Sequence, residues 1–78
     1  PNVVLYLGAS FTETNAAMIT EWCENKSLFD LLQNTSRTHP SDMSARMMLK
    51  YALQIARGMC YLHSRKERII HRDLKSLN

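Results

Sequence analysis

The densest chemistry in the chain lies at its C-terminal end, in the run His71-Arg72-Asp73-Leu74-Lys75-Ser76-Leu77-Asn78. A single tight loop of this kind can present a carboxylate, an ammonium group and a carboxamide together. That set suits phosphoryl transfer, which needs an oriented hydroxyl, a cation beside the transferring group and a metal ligand. Asp73 can accept a hydrogen bond from the hydroxyl and take its proton late. Lys75 can neutralise charge on the phosphoryl oxygens. Asn78 can ligate Mg2+ through its amide oxygen, because Mg2+ prefers hard oxygen donors. The plainer alternative is a basic, solvated strand-to-loop corner with a chance His-Arg-Asp.

The elements that must position this loop follow from hydrophobic periodicity. Met48, Ala52, Ile55, Ala56, Met59 and Leu62 recur at helical spacing and predict a helix over 44–64 with that stripe in the core. Arg46, Lys50, Gln54, Arg57 and Ser64 fall on the opposite side, and Arg65 and Lys66 suit the negative end of the helix dipole. Gly58 inside this helix costs about 1 kcal/mol relative to Ala, which points to close packing against a neighbour. Arg68-Ile69-Ile70-His71 reads as a short strand-like piece that delivers the loop.

Upstream, Val3-Val4-Leu5-Tyr6-Leu7 is β-branched and aromatic and predicts a strand buried on both sides, closed by Gly8 and Ala9. Thr12-Glu13-Thr14-Asn15 is turn chemistry, and Ala16 to Glu21 is a second apolar run, so the two make an antiparallel hairpin. Trp22 to Lys26 reads as a connector. Ser27 with Asp30 three residues on has the spacing of a capping box, so a short helix through Leu31 and Leu32 is expected. Gln33 to Asp42 is polar, holds Pro40 and reads as a loop. His39 in that loop and His63 at a helix end read as structural or solvated. The fold class is therefore α+β.

Composition narrows the alternatives. A chain of 78 residues with 45% hydrophobic content supports one small core. Cys23 and Cys60 form no C-x-x-C pair, which argues against a zinc site or a disulfide framework and fits a reducing, cytoplasmic location. The net charge is +3, with basic residues crowding the C-terminal third. That cluster raises a nucleic-acid reading, but no aromatic platform accompanies it, so no nucleic-acid partner is expected. The longest apolar run, Val3 to Ala9, is broken by Gly8 and is too short to span a bilayer, so no membrane contact is expected from this segment. No signal peptide is seen.

The run from His71 to Asn78 resembles the protein-kinase catalytic loop H-R-D-x-x-x-x-N. The likeness extends along the chain. Asn2-Val3-Val4 to Gly8 resembles the fourth strand of a kinase small lobe, and Met18 to Glu24 looks like the fifth strand running into the hinge. Ser27-Leu28 looks like the start of the helix after the hinge, and Gln54 to His63 is similar to the long large-lobe helix before the catalytic loop. The hinge Thr20-Glu21-Trp22-Cys23-Glu24 is similar to the Raf branch of the tyrosine-kinase-like group, and the Lys-Ser-x-Asn ending suits that group.

The resemblance implies part of a two-lobe kinase fold, with small-lobe strands over 1–21, the hinge over 22–26, and the start of the large lobe through the catalytic loop over 27–78. It implies ATP and Mg2+ as cofactors and a protein substrate bearing a Ser or Thr hydroxyl, because Asp-x-Lys-x-x-Asn accompanies serine/threonine kinases. Catalytic roles would fall to Asp73, Lys75 and Asn78, with Asn78 also the metal ligand. Thr20 would be the gatekeeper of the adenine pocket. The Glu21 carbonyl and the Cys23 N–H would bond adenine, Ser27 would reach the ribose and Leu28 would lie under the ring. For these residues the plainer readings are a helix cap at Ser27 and core packing at Leu28. Trp22 reads as simple packing. Tyr6 and His71 would join a stacked hydrophobic spine, so His71 reads as a packing residue, and Arg72 would pair with a phosphorylated activation loop. The Gly-rich loop, the strand lysine, the helix glutamate and the Asp-Phe-Gly motif are not in this sequence. The segment alone is therefore expected to be inactive and to fold poorly, with an unpaired sheet edge. The alternative to an active kinase is a pseudokinase-type scaffold or regulatory protein.

Overall fold

The computed structural model describes residues 1–38 and 44–78. Two strands, β1 (Tyr6–Phe11) and β2 (Ala16–Thr20), are followed by two helices, α1 (Leu28–Thr38) and α2 (Ala45–Ser64). The order is that of the expected α+β piece: hairpin, connector, short helix, long helix, loop. No helix among the described residues is long and apolar enough to cross a membrane.

The strands pair antiparallel, with Phe11 opposite Ala16 and Tyr6 opposite Thr20. Thr12 and Asn15 close the hairpin. Thr12 N–H donates to the Asn15 carbonyl at 2.8 Å, and the Thr12 Oγ1 accepts from Asn15 N–H at 3.0 Å. This is the turn chemistry expected of Thr and Asn. The first strand is displaced from its sequence expectation. It starts at Tyr6 rather than Val3 and runs through Gly8 to Phe11. The register slips between Tyr6 and Gly8, leaving Leu7 as the extra residue of a bulge. Gly8 therefore sits beside an irregularity inside the strand and does not terminate it.

Helix α2 begins as expected. Ser44 is its N-cap, and the Ser44 side chain accepts from Met47 N–H at 3.3 Å. Helix α1 is longer than the sequence suggested: residues 33–38 continue it instead of opening a loop. Polar residues such as Gln33 do not end a helix whose face is solvated. The rest of the expected loop, with His39 and Pro40, lies outside the described residues. Arg68 to His71 form no strand; Ile69 N–H instead donates to the Leu62 carbonyl at 3.2 Å, satisfying one orphan carbonyl in the last turn of α2.

The expected core is not formed. No hydrophobic side chain is buried among the described residues, and Val3, Val4, Leu5, Ile19, Met48 and Ile55 are exposed. On α2 the covered face runs through Tyr51, Gln54, Gly58, Met59 and Leu62, so it shares only Met59 and Leu62 with the predicted stripe. The radius of gyration is 15.5 Å, against about 11.5 Å for a compact domain of this length. Chain this extended cannot enclose a dry interior, whatever its pattern. Among the described elements only β1 and β2 pack on each other.

Candidate active site

The catalytic-loop candidates meet at a tight turn. Asn78 N–H donates to the Lys75 carbonyl at 3.0 Å, a four-residue reversal that carries Asn78 back towards Asp73. The Asn78 amide nitrogen then donates to the Asp73 carbonyl at 2.8 Å and to Asp73 Oδ2 at 2.7 Å. Lys75 Nζ lies 2.9 Å from Asp73 Oδ1. All three candidates, Asp73, Lys75 and Asn78, are thus brought together and remain open to solvent.

Electrostatics follow from this geometry. The Lys75 ammonium first, and the Asn78 amide second, hold the Asp73 carboxyl below its ordinary range, with His71 adding a smaller effect and desolvation opposing them. Asp73 is therefore ionised and acceptor-only at neutral pH.

Two features orient the loop from its N-terminal side. Asp73 N–H donates to His71 Nδ1 at 3.3 Å, and Arg72 between them has φ 64°. A left-handed non-glycine residue is uncommon, and such conformations gather at functional sites. His71 is exposed and is not the packing residue expected of a hydrophobic spine; its ring is an acceptor for the Asp73 backbone. Tyr6 is exposed as well.

Helix α1 holds the loop from the other side. Ser27 Oγ donates to Asp30 Oδ2 at 2.6 Å and accepts from Asp30 N–H at 3.2 Å, while Ser27 N–H donates to the same carboxylate oxygen at 3.2 Å. This is the capping box that the spacing predicted. The bonds from Ser27 keep the Asp30 carboxyl below its ordinary range. The next free N–H of the first helical turn, that of Phe29, donates to the Ser76 carbonyl at 2.8 Å. Ser76 sits in the turn between Lys75 and Asn78. A main-chain bond of this kind leaves no mark on side-chain pattern, so residue types carry no signal for it.

At the other candidate cluster, Glu21 is clamped to the segment before β1. Leu5 N–H donates to Glu21 Oε1 at 2.7 Å, and Glu21 N–H donates to the Leu5 carbonyl at 2.9 Å. The Glu21 carbonyl accepts from Thr20 Oγ1 at 3.2 Å and keeps a second lone pair. The Cys23 carbonyl accepts from Lys26 N–H at 3.1 Å, closing a turn in which Lys26 has φ 58°. Nothing among the described residues accepts from the Cys23 N–H. Leu28 is half-buried, Cys23 is a free, exposed thiol, and Trp22 is 84% exposed, so Trp22 packs on nothing here.

Asn78 passes a simple test as a metal ligand. Its amide nitrogen is engaged by Asp73, which leaves its oxygen, a hard donor, free of any bond to the described residues. No group of three or more His, Cys, Asp or Glu side chains that could hold a metal gathers among the described residues.

Residues 1–78 match the family model of the protein tyrosine and serine/threonine kinases. The chain belongs to this protein kinase family. A probable serine/threonine-protein kinase of Dictyostelium discoideum is 44% identical over 78 residues, covering 100% of this chain and 7% of that protein. The serine/threonine-protein kinase CTR1 of Arabidopsis thaliana is 40% identical over 78 residues, 100% of this chain and 9% of its own length. The tyrosine-protein kinase csk-1 of Caenorhabditis elegans is 38% identical over 78 residues, 100% of this chain and 14% of its own length. The chain thus spans between 7% and 14% of these relatives. The serine/threonine relatives accord with the family resemblance drawn from the hinge and the catalytic loop.

Proposed function

We propose that the chain is part of a protein serine/threonine kinase that transfers the γ-phosphate of ATP to a protein hydroxyl. Residues 1–21 belong to the small lobe, 22–26 to the hinge, and 27–78 to the large lobe through its catalytic loop. The observation that carries this reading is the Asp73–Lys75–Asn78 cluster, held within 3 Å contacts by one turn.

In this reading Asp73, ionised and acceptor-only, orients the substrate hydroxyl and takes its proton late in the transfer. Lys75 lies beside that carboxylate and offers its charge to the phosphoryl oxygens. Asn78 offers its amide oxygen as a ligand, and Mg2+ held there would neutralise charge on the phosphates. Adenine is met by the free Cys23 N–H and the remaining lone pair of the Glu21 carbonyl, with Thr20 behind it and Leu28 beneath it. Ser27 caps α1, and its hydroxyl stands at the ribose end of the cleft. Serine/threonine selectivity rests on Lys75 in Asp-x-Lys-x-x-Asn and on the serine/threonine names of two of the relatives. The 78-residue segment by itself is inactive in this reading, since loop and hinge alone cannot grip the phosphates.

The test compares transfer from Mg-ATP to a generic protein substrate by the full-length protein and by its Asp73→Asn variant. The expected result is phosphoserine or phosphothreonine, with a loss of about 10²–10⁴-fold in the variant. A folded protein that binds ATP and transfers nothing would instead be a pseudokinase-type scaffold.

A further inference from the structure

Among the residues whose burial is described, Gly58 alone is buried. A Cβ built on it would lie 2.5 Å from the carbonyl oxygen of Asn2 and 3.4 Å from the carbonyl carbon. Real Cβ atoms do not approach oxygen that closely, and the obstacle is backbone, which cannot rotate aside as a side chain can. Gly58 lies within the regular α2 helix and has no positive φ, so its conformation does not demand glycine. Helix propensity argues for alanine there. Space for the Asn2 backbone is what remains.

The segment seated on Gly58 leads to the hinge. Three residues after Asn2, Leu5 makes both of its main-chain bonds to Glu21. One turn along α2 from Gly58, the Leu62 carbonyl accepts from Ile69 N–H. Ile69 lies two residues before His71, whose ring receives the Asp73 amide. Positions 58 and 62 share one helix face, about 6 Å apart along the axis. A single turn of α2 therefore carries both the segment that clamps Glu21 and the segment that delivers Asp73. Around this contact the structure is open: a cavity of about 790 Å³ is bordered by Val3, Leu5, Arg57, Leu62 and Ile69. With open space on its flanks, the segment depends on the glycine contact for its height above the helix.

We infer that Gly58 is a positioning residue: by admitting the Asn2 backbone onto α2 it sets the spacing between the hinge and the loop that bears Asp73. The inference rests on the kinase reading of that loop. An added methyl group pushes Asn2 outward while leaving Ile69 on Leu62, so bound nucleotide and transfer loop fall out of line.

The experiment uses the full-length protein as wild type, Gly58→Ala and Gly58→Val. A 1 Å misplacement of reacting groups costs about 10²-fold, so kcat for Gly58→Ala is expected to fall by about that factor, and further for Gly58→Val, while the KM for ATP holds. Wild-type kcat in Gly58→Ala, or equal losses in kcat and ATP binding, would overturn the inference. Amide exchange supplies a readout that needs no turnover. In Gly58→Ala the Leu5 and Glu21 amides are expected to exchange faster, with the Asn15 amide at the hairpin tip unchanged; unchanged Leu5 and Glu21 exchange overturns the seating. If the wild type transfers no phosphate, the kinase reading fails while exchange still decides the seating. If Gly58→Ala does not fold, wild-type exchange decides: Leu5 and Ile69 opening in one cooperative unit supports the inference, and independent opening ends it.

Discussion

Asn78 turns back on Asp73 and donates from one amide nitrogen to two Asp73 oxygens, at 2.8 Å to the backbone carbonyl and 2.7 Å to the carboxylate. The arrangement sorts the polar atoms of the loop. The Asp73 carboxylate is held by Asn78 on one oxygen and by Lys75 on the other. The Asn78 amide oxygen is left facing no partner among the described residues. A carboxylate so held stays ionised and is a fixed, well-oriented acceptor.

The first prediction concerns the charge on Asp73. Lys75 is the largest cause of its lowered titration, with Asn78 next. In Lys75→Met the Asp73 carboxyl is expected to titrate higher, closer to the ordinary carboxylate value of about 3.9. Asn78→Ala should move it in the same direction by less. Carboxyl carbon chemical shifts followed against pH read both changes; a midpoint that does not move in Lys75→Met would refute the assignment. The sign for stability follows from linkage. The native pKa lies below the unfolded one, so the stabilisation is present above the unfolded value and is lost as pH falls through the native value. Because the pair is solvated, the shift in titration is the quantity to read.

The second prediction concerns the cap of α1. Ser27 makes three hydrogen bonds with Asp30. Ser27→Ala removes the two that use the hydroxyl, and loss of a Ser cap typically costs about 1 kcal/mol. The Asp30 carboxyl should also titrate higher, since its largest cause of lowering is the Ser27 side chain. Denaturant unfolding of the full-length protein, with an NMR titration of Asp30, checks both. An Asp30 midpoint that stays put in Ser27→Ala would contradict the box.

Much of this geometry could be read from the sequence, for a definite reason in each case. The Ser27/Asp30 cap, the Thr12–Asn15 turn and the crowded run from His71 to Asn78 are all local, and local chemistry is written in residue type and spacing. The misplacements come from what is not local. Val3 to Leu5 read as strand from their β-branched pattern, yet the ladder begins at Tyr6 and bulges at Leu7. The Met48-to-Leu62 stripe read as core, yet the face of α2 that is covered centres on Gly58. A backbone carbonyl covers it there, and hydrophobic periodicity cannot register a backbone carbonyl. The sequence did flag Gly58 as a close-packing position; it could not name Asn2 as the neighbour.

The third prediction contrasts the two glycines. A Cβ at Gly8 meets nothing within 4 Å, and Gly8 has no positive φ. Gly8→Ala should therefore change stability by no more than about 0.5 kcal/mol, the range for surface substitutions away from special features. Gly58→Ala in the same protein should destabilise it, against the direction of helix propensity. Paired denaturation curves decide the point, and a Gly8→Ala loss as large as that of Gly58→Ala would remove the distinction.

The fourth prediction isolates the bond from helix to loop. Phe29 N–H donates to the Ser76 carbonyl at 2.8 Å, and Ser76 lies inside the turn that returns Asn78 to Asp73. The bond is main-chain to main-chain, so most substitutions leave it untouched. Proline is the exception, because it lacks the N–H and is tolerated in the first turn of a helix. Phe29→Ala controls for loss of the ring and keeps the donor. Relative to Phe29→Ala, Phe29→Pro should lose about 0.5–1.5 kcal/mol, the net worth of one hydrogen bond. It should also lower kcat, since the turn bearing Lys75 and Asn78 is no longer tied to α1. Far-UV circular dichroism checks that α1 persists, and amide exchange at Asn78 reports the turn directly. Faster Asn78 exchange together with lower kcat in Phe29→Pro supports the tie. Equal kcat and equal exchange in the two variants would mean that the turn between Lys75 and Asn78 holds its shape without α1.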